Sequence, residues 1–259
     1  PGGRLKYPPH ERDAAERGLR LVGYDRPGYG GSSPNPGRTV ADVAADVAAI
    51  LDHLGAERFA TWGASGGGPH ALACAALLPD RCAAAATLCG AGPADAPTLD
   101  FLAGMGEENV EEFSAAQAGR EALEPMLAAW RDEMASGSVE QLADSMDTVL
   151  SPVDRAALTD DLAAHLVASM QSALEPGVEG WIEDDLAFVA PWGFDVGAIA
   201  VPVGVWQGEQ DLMVPPAHGH WLAANVPGAE AHVHPEDGHL TITQRRVPDV
   251  HTWLARYTF

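Results

Sequence analysis

The chain has few basic residues. Its 259 residues include 15 lysines and arginines against 37 aspartates and glutamates, which gives a net charge of −22. Nucleic acids and anionic membrane surfaces bind clusters of Lys and Arg, so the imbalance argues against both kinds of partner. No apolar run approaches the ~18–20 residues that a membrane-spanning helix needs. With 46% hydrophobic and 20% charged residues, the composition is that of a soluble globular protein.

Cysteine is also scarce. Cys74, Cys82 and Cys89 are too few and too closely spaced for a disulfide framework, and none belongs to a C-x-x-C pair. They are typical of small buried residues, and we expect a reducing, cytoplasmic environment. The general alanine bias indicates a GC-rich bacterial genome.

The chain lacks the common phosphate-binding loops. The segment TWGASGGGPH (residues 61–70) is rich in glycine, but Ser65 stands where a dinucleotide-binding G-x-G-x-x-G loop has its middle glycine. A P-loop needs Gly-Lys-Ser/Thr, and no lysine follows these glycines. We therefore expect no nucleotide at this loop and no cofactor in the reaction.

Hydrophobic patterning predicts a parallel sheet with helices on its faces. Between the third and fourth predicted strands, residues 93–191 carry only helical patterns. The predicted fold class is therefore α/β, with a core of residues 1–92 and 192–259 and a helical insertion over residues 93–191. The predicted strands cover residues 19–25, 58–63, 82–90, 201–208 and 229–235, and helices outside the insertion are predicted over 39–54, 67–80, 217–226 and 247–257.

The glycine-rich segment places a serine between a predicted strand and a predicted helix. GASGG (residues 63–67) is a G-x-S-x-G pattern, which is typical of a nucleophile elbow in this context. Glycine two residues away on each side is needed where a larger side chain would clash across a tight turn. The turn exposes the Ser65 hydroxyl and leaves the N–H of Gly66 at a helix N-terminus, where it can stabilise an oxyanion.

A serine hydroxyl needs a base, and the base needs a carboxylate. Asp211 follows the fourth predicted strand, and His239 is expected in a loop after the fifth, so both belong at the same edge of a parallel sheet. Asp95, after the third predicted strand, is an alternative acid. Asp237 is close to His239 in sequence but is more typical of a turn former.

Four motifs together resemble the α/β-hydrolase family, of the serine hydrolase or esterase type. They are GYDRPGYGGS (residues 23–32), GASGG (63–67), GEQD (208–211) and DGH (237–239), in that family's order. The resemblance implies that Ser65 is the nucleophile, Asp211 the acid and His239 the base. It also implies that residues 93–191 are the family's lid, which shapes the substrate pocket.

The start of the sequence departs from the family pattern. PGGR (residues 1–4) resembles the end of the family's H-G-x-P-G loop, which supplies the second oxyanion donor. That donor is expected at or just before Pro1, and the family's first strands are expected to be missing from this sequence.

Three aromatic residues of the predicted lid, Trp181, Phe188 and Trp192, are candidates for an apolar substrate pocket. Packing within the lid is the alternative for all three. Asp184 and Asp185 are expected to be solvated or to cap a helix. A carboxylate in the lid is alternatively able to bind a substrate amine, as in the family's aminopeptidases.

The segment HVHPEDGH (residues 232–239) resembles a zinc signature, H-x-H-x-D-H, but has one extra residue before Asp237 and another before His239. We expect no metal. The expected partner is a small-molecule substrate, and the expected function is hydrolysis of a small or medium ester through an acyl-enzyme. Alternatives within the fold are an aminopeptidase resembling proline iminopeptidases, a carbon–carbon bond hydrolase and a cofactor-free perhydrolase. An alternative of another class is a non-catalytic ligand-binding protein.

Overall fold

A computed structural model describes residues 1–136 and 148–258. Within these residues the sheet has four parallel strands, which lie side by side in chain order. The mostly parallel α/β architecture predicted from the sequence is confirmed. The strands are β1 (Phe59–Ala64), β2 (Cys82–Leu88), β3 (Val203–Gly208) and β4 (Glu230–His234).

The central strands are buried on both faces. Every residue of β2 and β3 is buried, as expected for strands that read as nearly continuous apolar runs. The small side chains of the alanine run 83–86 let helices pack closely on both sides of β2. Because all four strands are parallel, their carboxyl ends meet at one edge, where Ser65, Cys89, Asp211 and His239 follow them.

Ten α-helices are described by the structure. The first three are α1 (Pro8–Glu16), α2 (Val43–Leu54) and α3 (Gly67–Leu77). Between β2 and β3 come α4 (Glu107–Ala118), α5 (Arg120–Ser136), α6 (Pro152–Ala157), α7 (Asp160–Ala173) and α8 (Glu179–Val189). The last two are α9 (Pro216–Asn225) and α10 (His239–Thr258).

Helices cover both faces of the sheet. The first face packs against α2, α3 and α9 through a cluster that includes Val43, Leu72 and Leu222. The opposite face packs against α10 through Ile242, Val250 and Trp253. No described helix is long and apolar enough to cross a membrane.

One predicted strand is wrong. Residues 19–25 form no ladder in the structure, and Val22 in their middle is 47% exposed. A strand needs a neighbouring backbone with which to exchange hydrogen bonds. Here residues 19–24 and the edge strand β1 both line one cavity of about 1480 Å³ instead of pairing.

The helices α4–α8, together with the loops that join them to β2 and β3, form what we call the insert (residues 93–191). Leu123, Leu127, Trp181 and Ile182 build a small hydrophobic cluster inside it, and Tyr29 of the core reaches into the same cluster. The insert therefore packs onto the core next to the sheet edge. Its role as a lid stays a prediction.

Candidate active site

Ser65 occupies a strained turn between β1 and α3. Its φ is +54°, a left-handed conformation that is uncommon for a residue other than glycine. Its N–H donates to the carbonyl of Leu88 (2.9 Å), and its carbonyl accepts from the N–H of Gly68 (2.9 Å). A Cβ on Gly63 would collide with the backbone of Gly67, so the glycine before the serine is sterically required.

Gly66 is the N-cap residue of α3. The N–H groups of a first helical turn have no intrahelical acceptor, so they are available to a negatively charged oxygen beside the serine. Gly66, Pro1, Gly2 and Gly3 all line the same cavity as Ser65. The assignment of Gly66 as an oxyanion donor, with a second donor near Pro1, stays a prediction.

Asp211 and His239 form a buried hydrogen-bonded pair. Oδ2 of Asp211 lies 2.8 Å from Nδ1 of His239. Oδ1 accepts from the backbone N–H groups of Met213 (2.9 Å) and Val214 (2.8 Å), so the turn after β3 fixes the carboxylate. The exposed fractions are 1% for Asp211 and 6% for His239. The pairing puts a proton on Nδ1 and leaves Nε2 able to accept one.

The electrostatic environment favours a charged imidazole at position 239. Burial is the largest single effect and lowers the pKa of His239, but the Asp211 carboxylate and Cys89 together outweigh it, so the pKa lies well above its ordinary value. Asp95, the alternative acid, is exposed and lies outside this pair. The geometry therefore favours Asp211 as the partner of the histidine.

His239 is not in a loop, contrary to the prediction. It is the first residue of α10, which begins eight residues before the predicted start of the last helix. Three consecutive backbone N–H groups, from His239 to Thr241, donate to the carboxylate of Asp154 in the insert. This long-range cap allows a helix to start where the local sequence does not indicate one.

Cys89 was not singled out as a site residue by the sequence. Its Sγ lies 4.0 Å from Nε2 of His239, and its φ is +42°. Burial raises the pKa of this thiol, which is therefore neutral at ordinary pH. Within the described part of the chain, no hydrogen bond joins the Ser65 hydroxyl to the imidazole, whose Nε2 faces Cys89 instead.

The cavity beside Ser65 is mostly apolar and is closed on one side by the insert. Phe188 of α8 presses on Gly66, because a Cβ there would meet its ring. Trp181 also lines the cavity, and its indole N–H donates to Glu112 (2.6 Å). Trp192 does not line it. Instead Trp192 is 3% exposed within the hydrophobic cluster on the α2/α3 face, which contradicts its predicted place at the pocket.

Several carboxyl groups of the insert line this cavity, and Glu112, Asp184 and Asp185 are buried among them. Asp185 of α8 lies against Glu112 of α4, and both are buried and line the cavity. Oδ2 of Asp185 has no hydrogen-bond partner among the described residues. Burial and the neighbouring Glu112 raise the pKa of Asp185 well above its ordinary value. The expectation that Asp184 and Asp185 are solvated is therefore wrong.

The histidine-rich segment is used for packing as well as for the Asp211 pair. His232 stacks on Trp206 with ring centroids 4.1 Å apart. Asp237 is buried, and its carboxylate is bound by Arg245 (2.8 Å) and Arg246 (2.7 Å). His234, Glu236 and Asp237 hold their ligand atoms within 4.8 Å of one another, but His232 and His239, the other two histidines of the zinc-like pattern, are not part of that group.

Known proteins resemble this chain in sequence and in fold. A family model described as alpha/beta hydrolase fold matches residues 1–244. A 2-hydroxy-6-oxononadienedioate/2-hydroxy-6-oxononatrienedioate hydrolase of Cupriavidus pinatubonensis is 29% identical over 227 residues, which cover 86% of this chain and 70% of that protein.

Solved structures share the fold at low sequence identity. A thermophilic esterase from Thermogutta terrifontis has a TM-score of 0.70 at 22% identity, covering 100% of this chain and 88% of its own. An enol-lactonase from Burkholderia xenovorans LB400 has a TM-score of 0.67 at 20% identity, covering 99% and 86%. A meta-cleavage product hydrolase from Pseudomonas fluorescens IP01 has a TM-score of 0.62 at 18% identity, covering 99% and 86%.

Proposed function

The chain belongs to the α/β-hydrolase family, and from that premise we propose that it is a serine hydrolase that cleaves a small or medium ester through an acyl-enzyme. The observation that carries the proposal is the strained Ser65 at the tip of β1, in a cavity that is also lined by His239, the partner of Asp211. A hydroxyl held out of the backbone by a positive φ and a histidine oriented by a buried carboxylate are the parts that acyl transfer requires.

In the proposed reaction, Nε2 of His239 takes the proton of the Ser65 hydroxyl as Oγ attacks the carbonyl carbon. Asp211 holds the Nδ1 proton and stabilises the imidazolium that forms. The developing oxyanion is bound by the N–H of Gly66. His239 then protonates the departing alcohol, which leaves an acyl group on Ser65. A water molecule that gives its proton to His239 then attacks the acyl group. The bond between the acyl carbon and Oγ breaks, His239 returns the proton to Oγ, and the acid is released.

The lining of the cavity supports a neutral substrate. Asp185 and Glu112 are buried at the wall formed by the insert, and Asp185 is one helical turn before Phe188, the residue that covers Gly66. A bound dioate would bring further negative charge next to this pair, which costs free energy in a partly dehydrated pocket. An uncharged ester avoids the repulsion.

Carbon–carbon bond hydrolysis is the second candidate, because the 29% identical relative is named for a 2-hydroxy-6-oxo dioate. The same serine and histidine would serve both reactions, so the substrate separates them. We expect a higher kcat/KM for p-nitrophenyl butyrate than for a 2-hydroxy-6-oxo dioate. A panel of aminoacyl amides tests the aminopeptidase alternative.

A fluorophosphonate probe tests the proposal directly. We expect the wild type to be labelled and Ser65→Ala to lose both labelling and ester hydrolysis, with kcat at least about 10³-fold lower. Ser169→Ala is the matched control, because Ser169 lines the same cavity from the helix α7. Labelling that survives in Ser65→Ala would refute the assignment. A wild type that is neither labelled nor active would favour the ligand-binding alternative.

A further inference from the structure

Asp154 is a buried carboxylate of the insert that contacts the residues around His239. Its Oδ2 accepts from the N–H of His239 (2.7 Å), and its Oδ1 accepts from the N–H groups of Leu240 (2.9 Å) and Thr241 (2.8 Å). Hydroxyl groups of Thr241 and Ser151 donate to the same carboxylate at 3.0 Å each. The residue is 0% exposed, and all of these partners are buried with it.

These hydrogen bonds replace a local helix cap. The first N–H groups of a helix have no acceptor within the helix, and a side chain of the preceding residue usually supplies one. The residue before His239 is Gly238, which has no side chain to offer. A carboxylate is also favoured at this end by the helix dipole. Asp154 therefore caps α10 from a position 85 residues earlier in the chain.

Gly238 provides the space for this cap. A Cβ at position 238 would collide with Oδ2 of Asp154 and with the hydroxyl of Ser151. The glycine of the DGH motif is thus required by the approach of the insert, and any side chain there would push Asp154 away from the helix terminus.

We propose that Asp154 is a positioning residue for His239, an inference that rests on the proposed hydrolase function. The carboxylate fixes the backbone of His239, and Asp211 fixes its imidazole at Nδ1. With the cap removed, the first turn of α10 is free to fray, and the imidazole is no longer held in place at the candidate site. Because Asp154 belongs to α6, the insert holds the base as well as covering the pocket.

Asp154→Asn tests the role, because it keeps the size of the side chain but replaces one acceptor oxygen with an NH₂ group. Misplacement of a catalytic group by about 1 Å costs on the order of 10²-fold, so we expect fluorophosphonate labelling and kcat/KM to fall about 10²-fold. The loss should appear in kcat rather than in KM. The matched control is Asp161→Asn, an equal charge change at an exposed position of α7.

Titration of active sites separates positioning from loss of folded protein. A positioning role predicts that labelling of Asp154→Asn is slow but still reaches one probe per chain. If instead fewer than one site per chain of Asp154→Asn is labelled, and those sites react at the wild-type rate, the proposal is overturned and the role of Asp154 is purely structural. Wild-type rates in Asp154→Asn would overturn it as well.

Hydrogen exchange provides a measurement that does not depend on activity. In Asp154→Asn we expect the amides of residues 239–241 to exchange at least tenfold faster than in the wild type and in Asp161→Asn. If the wild type proves inactive but these amides exchange faster in Asp154→Asn, the proposed function fails and the cap by Asp154 is supported. Unchanged exchange would refute the cap.

A second variant serves if Asp154→Asn does not fold. Ser151→Ala removes one partner of Oδ2, and we expect labelling to slow on the order of fivefold. An unchanged labelling rate in Ser151→Ala would also refute the positioning role.

Discussion

Asp184 is a buried charge of the insert that is bound to the core, and its neutralisation should be strongly destabilising. Its Oδ2 accepts from Arg26 (2.5 Å) and from the hydroxyl of Tyr29 (3.0 Å), and its Oδ1 accepts from Arg38 (2.6 Å). The side chains of Asp184 and Arg38 are 3% and 4% exposed, and that of Arg26 is 21% exposed. In Asp184→Asn two guanidinium groups would remain in the interior without a counter-ion.

Removing one partner of a buried ion pair costs about 3–5 kcal/mol, because the remaining charge is left uncompensated. In a chain of this length 1 kcal/mol corresponds to roughly 2–4 °C in Tm. We therefore expect Asp184→Asn to lower the free energy of unfolding by about 3–5 kcal/mol and Tm by about 6–20 °C. Urea and thermal unfolding followed by tryptophan fluorescence measure both quantities.

The pH dependence of the free energy of unfolding gives a second measurement of the contacts made by Asp184. Burial would raise the pKa of Asp184, but Arg26, His70 and Arg38 outweigh it, so the pKa lies well below its ordinary value. A depressed pKa contributes stability above the unfolded value of about 3.9, and the contribution is lost as the pH falls towards the folded value. The difference between wild type and Asp184→Asn should therefore be full at pH 6–8 and shrink below about pH 4.

Asp52→Asn is the matched control for Asp184→Asn, because it makes the same substitution in an ion pair at the surface. Asp52 bonds Arg81 at 2.7 Å, but its side chain is 73% exposed. Exposed pairs contribute about 0–1 kcal/mol, so this variant should unfold almost as the wild type does. A cost below about 1 kcal/mol for Asp184→Asn would refute the reasoning, because it would show that water or a rearranged partner compensates the buried guanidinium groups.

Two further predictions concern the cavity and the base. Because the Asp211 carboxylate raises the pKa of His239 and only the neutral imidazole accepts a proton, kcat/KM should rise with pH through that pKa. Asp211→Asn should lower kcat by about 10⁴-fold and move the acidic limb of the pH–rate profile to lower pH; an unmoved limb would contradict the role of Asp211. Because its raised pKa already keeps Asp185 protonated, the charge of the acid pair is removed by Glu112→Gln instead, and cleavage of a 2-hydroxy-6-oxo dioate should then improve relative to p-nitrophenyl butyrate. An unchanged ratio would show that the acid pair does not disfavour anionic substrates.

The features that could be predicted most accurately from the sequence are those that depend on local steric constraints and on the parallel arrangement of the strands. The requirement for glycine at position 63 follows from the tight turn at Ser65, and the structure shows the same crowding. Asp211 follows β3, and its carboxylate is fixed by N–H groups only two and three residues away. Since the carboxyl ends of parallel strands meet at one edge, the proximity of Asp211 and His239 was also predictable.

Contacts between residues distant in the sequence could not be predicted from the local sequence pattern. Thr241, Ile242 and Thr243 have low helix propensity, and Pro248 lies inside the helix, so local signals placed the start of α10 too late. SPVD (residues 151–154) matches a capping box of its own helix, and Ser151 does cap α6. No local feature of these four residues indicates that Asp154 caps a second helix.

The strand that was wrongly predicted over residues 19–25 has a different explanation. The run LRLVGYD has the apolar content of a buried strand, but strand formation also depends on a partner at hydrogen-bonding distance. In the structure the cavity beside β1 takes the place of such a partner. Hydrophobic content is thus a necessary signal for a strand in this fold, and it is not sufficient.

Three of the contacts between the insert and the core have a consequence for substrate choice. Phe188 covers Gly66, Asp154 caps the helix that begins at His239, and Asp184 binds Arg26 and Arg38 of the core. A substitution that moves one insert helix therefore changes the pocket wall and the position of the base together. The residues that determine which substrate is cleaved and those that determine how fast it is cleaved then overlap. A change of substrate specificity by exchange of the insert would require the Asp154–Gly238 contact to be kept, because without it the new pocket would face a misaligned histidine.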